Sequence, residues 1–167
     1  MIHNKITPKQ ETLMDGEPAR YSVAESTHLV LPMHANLHGT LFGGQLVAWL
    51  DLVATLSAMR HTIHPVVTAS IEDLHFLHPI FVGQAIALYA KPHAAFHSSI
   101  EIGVSVHSFS PEFPHEKQLC CKGVFVFVAL DEKGRPVPIR PLIIESDEEK
   151  LTEQAAKERK KRRQQQR

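Results

Sequence analysis

Gly43-Gly44, with the apolar run behind it that reaches Met59, constrains this 167-residue chain more than any other stretch. Two glycines let the backbone turn sharply and approach a ligand closely. The residues from Gln45 to about Ile63 are small, branched and nearly all uncharged. That composition predicts one long helix buried on most sides. The first turn of a helix leaves backbone N–H groups without internal acceptors. Together with the positive end of the dipole, they favour an oxygen carrying negative charge. One acid interrupts the run. Val47, Asp51, Ala54 and Ala58 share a face at i, i+4, i+7 and i+11 spacing. A carboxylate there is costly unless something answers it, and the nearest basic residue, Arg60, lies nine positions on and off that face.

Around this helix the pattern is that of strands. Residues 1–19 are a polar lead-in broken by Pro8, Gly16 and Pro18. Arg20 to Leu31 reads as a first strand, ended by Pro32. After His64-Pro65 the period changes to two. Val66–Phe76, Gln84–Lys91, Ser98–Phe109 and Gln118–Leu130 read as strands, with a loop or hairpin tip over Ser110–His115 and an extended strap over Val137–Leu142. One strand, one helix and four strands make an α+β pattern over residues 20–144. With no second helical layer, the sheet is expected to be antiparallel and curled around the helix. Its edges and outer face need cover; a second copy could supply it, so at least a dimer is expected. Residues 145–167 place acids first and bases last, which suits a helix dipole. They read as a solvated terminal helix that frays into a basic end, or more sharply as a contact for a neighbouring subunit or an acidic partner.

Lys+Arg and Asp+Glu are equal at 18 each, so no global field points to nucleic acid or a membrane as partner. Met1–Arg20 lacks the apolar centre of a signal peptide, and Val124–Leu130 is too short to span a bilayer. Cys120 and Cys121 are adjacent; on a strand they face opposite sides, against a bridge between them. A reduced, cytoplasmic setting is expected. The 12 histidines invite a metal, but His75 and His78 fall on opposite strand faces and His61 and His64 have no carboxylate or thiol beside them in sequence. No metal is expected. There is no Gly-x-Ser-x-Gly elbow for a serine nucleophile.

What the glycine–helix stretch can do is acyl transfer. Such chemistry needs donors for a developing oxyanion and a group that activates water. Gly43 and Gly44 offer the first, Asp51 the second, and Asn36 an amide that can hold water or a carbonyl oxygen without ionising. Spacing alone leaves two other readings open: a mere tight turn, and a structural aspartate bonded to backbone or hydroxyls.

The stretch His34-Ala35-Asn36-Leu37-His38-Gly39-Thr40-Leu41-Phe42-Gly43-Gly44, continued to Asp51, resembles the signature of hotdog-fold acyl-CoA thioesterases. It is most similar to the bacterial broad-range acyl-CoA hydrolases and their cytosolic eukaryotic relatives. The likeness continues through Arg60-His61, Val67-Thr68-Ala69-Ser70, Pro79-Ile80, Ser98-Ser99-Ile100-Glu101 and Phe127-Val128-Ala129. It implies a curved antiparallel sheet wrapped around one central helix, a double-hotdog dimer, and a trimer of such dimers. It implies hydrolysis of acyl-CoA thioesters with no metal and no cofactor beyond the coenzyme A of the substrate. Asp51 matches the catalytic carboxylate, as base or nucleophile. Asn36 matches a partner amide acting across the dimer interface, and Gly44 the N–H donor to the thioester carbonyl. His38, Gly39, Gly43, Thr68 and Ser99 fall on substrate-binding stretches, and Arg60, Lys91 and His97 are alternative candidates for the coenzyme phosphates. Arg140 departs from the usual apolar or proline residue of the strap. Deleting Lys157–Arg167 is expected to leave hydrolysis largely intact. The competing reading is a non-catalytic, acyl-CoA-binding regulatory protein; a hydratase is a third, since Asp73 and His78 imitate its spacing without its glycine and proline pattern.

Overall fold

The change of period after Pro65 marks where a run of four long strands begins. A computed structural model describes residues 15–165; residues 1–14 of the expected lead-in lie outside the described residues. The short strand β1 (Glu17–Pro18) comes first, then a 3-10 turn over Ala19–Ser22 and β2 (Ala24–Leu29). Helix α1 (Gly43–Thr62) follows, then β3 (Val66–Phe76), β4 (Ala85–Ala95), β5 (Ser99–Ser110) and β6 (Phe113–Ala129). β7 (Leu142–Ile143) and helix α2 (Asp147–Gln165) end the described chain. The main sheet has the order β2-β4-β5-β6-β3, antiparallel throughout. It curves around α1, and the fold is the α+β hotdog that the sequence led us to expect. β1 and β7 form a separate parallel pair.

The core lies between α1 and the concave sheet face. Leu46, Leu50, Val53, Ala54 and Ala58 are buried on one side of the helix, and Ile86, Leu88, Ile100, Ile102, Phe125 and Phe127 on the sheet. Truncating a side chain such as Leu50 to alanine would cost about 3 kcal/mol. The expectation that α1 is buried on most sides needs correction. Leu52, Leu56 and Met59 are 65%, 51% and 44% exposed. The helix is apolar on two faces, of which its own sheet covers one.

The tail reading also changes. Over the described residues α2 does not stand free: it is helical through Gln165 and lies across the outer face of its own sheet, with Ala156 fully buried. Ion pairs fasten it. Glu149 meets Lys91 of β4 at 2.7 Å, Arg159 meets Glu101 of β5 at 2.6 Å, and Arg163 meets Glu72 of β3 at 2.8 Å. Glu101 has no exposed side-chain surface. Burial by itself would push its carboxyl up, but His93 and Arg159 outweigh that and hold it below the usual carboxylate range. The Ser110–His115 tip is narrower than expected, a turn at Pro111-Glu112 between β5 and β6. Among the described residues no helix is long and apolar enough to cross a membrane.

Candidate active site

The loop before α1 is built on Asn36. Its Oδ1 accepts from the His38 N–H at 2.9 Å and the Thr40 N–H at 3.2 Å, and its Nδ2 donates to Thr40 Oγ1 at 2.9 Å. Its backbone N–H donates to the Thr40 carbonyl at 2.8 Å. An amide has two acceptor lone pairs and two N–H donors. Both lone pairs and one donor are therefore spent on the loop, leaving Asn36 one N–H to offer. Gly39 supplies the turn with φ of +75°, a conformation that costs other residues more. The His38 side chain is exposed on the same turn.

The loop delivers the chain to α1 with Phe42 as N-cap and no side-chain cap. Gln45 and Leu46 donate to the Phe42 carbonyl at 3.0 and 3.2 Å. The N–H groups of Gly43 and Gly44 have no acceptor among the described residues. They are the free donors that the sequence pointed to, at the positive end of a 20-residue helix.

Two turns further on, Asp51 is half-buried and is answered by a hydroxyl. Thr68 Oγ1, on edge strand β3, donates to Asp51 Oδ1 at 2.6 Å. Oδ2 has no partner among the described residues. Thr68 was a candidate substrate contact; the structure places it on the carboxylate itself. No local spacing signals this pairing, because β3 meets α1 only through the fold.

The remaining candidates lie apart from Asp51. Ser99 opens β5 on the outer sheet face, which Glu101 two positions on shares with α2, while Ile100 between them points to the core. Arg60, near the end of α1, turns its guanidinium to the Val23 carbonyl. At 1.5 Å per residue it is about 13 Å along the axis from Asp51.

Sequence reasoning missed the lock at that end of the helix. Arg140 Nε donates to the His61 carbonyl at 2.6 Å, and Nη2 to the Arg60 carbonyl at 2.9 Å, while the same guanidinium pairs with Glu17. A cation on terminal helix carbonyls also meets the negative end of the dipole. In return, His61 Nε2 lies 3.1 Å from the Arg140 carbonyl, as its donor. Burial holds the His61 imidazole below its ordinary 6.5; the Arg140 hydrogen bond opposes this without overcoming it. Cys121 is a buried free thiol pushed up to about 11, chiefly by burial, so it does not act as a thiolate.

Comparison with known proteins places this arrangement. The family described as "Thioesterase superfamily" matches residues 38–113. Acyl-coenzyme A thioesterase 11 of Mus musculus is 42% identical over 83% of this chain, which spans 23% of that protein. The uncharacterized acyl-CoA thioester hydrolase YkhA of Bacillus subtilis is 35% identical over 78% of this chain and 75% of its own length. Among solved structures, the acyl-CoA hydrolase of Staphylococcus aureus, in complex with butyryl coenzyme A, coenzyme A and coenzyme A disulfide, has a TM-score of 0.84 at 32% identity, covering 91% of this chain and 92% of that one. An apo-hexameric acyl-CoA thioesterase has a TM-score of 0.85 at 35% identity, covering 91% and 97%. Structures of the S. aureus enzyme also exist with an asparagine, an aspartate or a threonine replaced by alanine. There the aspartate follows the asparagine by 15 positions and the threonine follows the aspartate by 17. The same intervals separate Asn36, Asp51 and Thr68. With 35% identity across three quarters of YkhA and the superfamily match over its central residues, the chain belongs to the thioesterase superfamily, alongside the acyl-CoA hydrolases.

Proposed function

We propose that the protein hydrolyses acyl-CoA thioesters, with Asp51 as general base and the start of α1 as oxyanion site. The observation that carries this reading is a half-buried carboxylate with one oxygen tied to Thr68 and the other without a partner among the described residues, on the helix whose first N–H groups likewise find none there. Asp51 takes a proton from water as the water oxygen bonds to the thioester carbon. The charge that develops on the carbonyl oxygen is met by the N–H groups of Gly43 or Gly44; one such donor is worth about 3 kcal/mol. Collapse breaks the C–S bond, and the departing thiolate recovers the proton from Asp51. The one free N–H of Asn36 is suited to hold the water or the carbonyl oxygen.

One chain does not complete this site. Gly44 and Asp51 are about 10 Å apart along α1 by helix rise, whereas reacting groups must come within about 3.5 Å. A second copy, with its α1 antiparallel to the first, brings one chain's Asp51 to the other's Gly44 and Asn36. The exposed Leu52, Leu56 and Met59 on α1, and Val67 and Ile71 on the β3 edge, offer the apolar surface for that pairing. We therefore include a homodimer in the proposal, with hexamers like those of the solved relatives as its further assembly. A cytoplasmic location belongs to it as well, in keeping with two free cysteines.

The test is release of coenzyme A thiol from a panel of acyl-CoAs by wild type and by Asp51→Asn. Turnover that falls at least about a hundredfold in the variant supports the reading. Equal rates would remove Asp51 from it, and tight binding without turnover would favour a regulatory binder.

A further inference from the structure

Beside the start of α1 lies a pocket of about 300 Å³ that the scheme above leaves unused. Its floor is marked by its buried lining residues Leu41, Leu46, Ile80 and Cys120, its mouth by the exposed Phe76 next to Gly43. Thr40 and His78 bring the only lining side chains with ordinary hydrogen-bonding groups, and Thr40 Oγ1 is already engaged by Asn36. The amide-bearing arm of coenzyme A would leave its polar groups unmatched in such a site. An alkyl chain would not.

Gly43 supplies a second, independent observation. Its φ is not positive, so no special backbone conformation demands glycine. A Cβ there would rest 3.6 Å from the Phe76 ring, an ordinary contact, so packing does not demand it either. What a side chain at this position would do is narrow the mouth, directly beside the free N–H groups.

We infer that this pocket holds the acyl chain, and that Ile80 and Cys120 set the longest chain accepted. The inference rests on the acyl-CoA hydrolase reading and adds its substrate range. At the roughly 30 Å³ that a water claims in the liquid, such a cavity holds about ten groups of that size. With the mouth and carbonyl taking a share, a straight chain of up to about eight carbons fits by the same measure.

The experiment compares kcat/KM for straight-chain acyl-CoAs from acetyl to palmitoyl in wild type, Ile80→Ala and Cys120→Met. Wild type is expected to lose at least about tenfold between octanoyl and dodecanoyl, as pockets that discriminate by methylene count do. Ile80→Ala deepens the floor and should raise the dodecanoyl-to-butyryl ratio about tenfold. Cys120→Met fills it and should lower the octanoyl-to-butyryl ratio about tenfold, so that either variant decides if the other does not fold. Retained acetyl-CoA turnover shows that a variant is folded and its chemistry intact. An unchanged chain-length profile with acetyl turnover retained overturns the pocket assignment and leaves the hydrolase reading standing. A wild type inactive on every chain length overturns that reading, and this inference with it.

Discussion

Thr68 on the edge strand holds Asp51 of the central helix through a 2.6 Å hydrogen bond to one carboxylate oxygen. The hydroxyl holds one carboxylate oxygen, which in the proposed reaction leaves the other for water. In that reaction Thr68 is a positioning residue. Thr68→Val keeps the shape and removes the donor. It is expected to lower kcat about tenfold or more with little change in KM, whereas Thr68→Ser should restore most of the rate. Steady-state kinetics on one acyl-CoA checks both; a Thr68→Val enzyme impaired only in KM would return Thr68 to substrate binding.

Arg159 is expected to matter for stability rather than chemistry. Its guanidinium is the closest cation to the fully buried Glu101 carboxylate. Removing it leaves the buried carboxylate only the longer contacts to Arg163 and His93, at 3.5 and 3.7 Å, so Arg159→Ala should cost about 3 kcal/mol. For a chain of this length that lowers Tm by about 10 °C. Deleting Lys157–Arg167 takes Arg159 and Arg163 together and should cost at least as much, so the tail is spare for chemistry at most, not for folding. Thermal melting of both variants tests this.

His61 gives stability a pH dependence of definite sign. Its folded-state value lies below 6.5, chiefly through burial. Below pH 6.5 the unfolded chain takes up a proton that the folded one refuses, so stability is full above that pH and falls as pH drops. One such group contributes up to about 1.4 kcal/mol per pH unit. Urea midpoints from pH 7.5 to 5 should decline, and less steeply in His61→Gln. Glu101, held below its ordinary 4.5, adds its own loss only at lower pH, as its carboxyl protonates.

The strands and α1 were legible because apolar periodicity reports which faces are buried. Val66–Phe76 agrees with β3 at both ends. Periodicity does not say what does the burying. The apolar surface of Leu52, Leu56 and Met59 reads as core from sequence, although the chain's own sheet does not cover it. Glu101 alternates with Ile100 and Ile102 and so reads as solvent-facing; it is buried because α2 returns 58 residues later to cover it. Arg140 is visible as an unusual residue in the strap, but its acceptors on α1 are 79 and 80 positions away. Asn36, Gly44 and Asp51 were within reach because they lie within 16 consecutive residues. Thr68 was found only as part of a motif, without its role.

The central claim is that Asp51 of one copy serves Asn36 and Gly44 of another. Asp51→Ala and Asn36→Ala proteins, each inactive alone, should be unfolded together, refolded as a mixture and assayed for acyl-CoA hydrolysis. Random pairing makes half the dimers mixed, each with one intact composite site, so activity should return to about a quarter of wild type. A mixture as inactive as its two components would contradict the account.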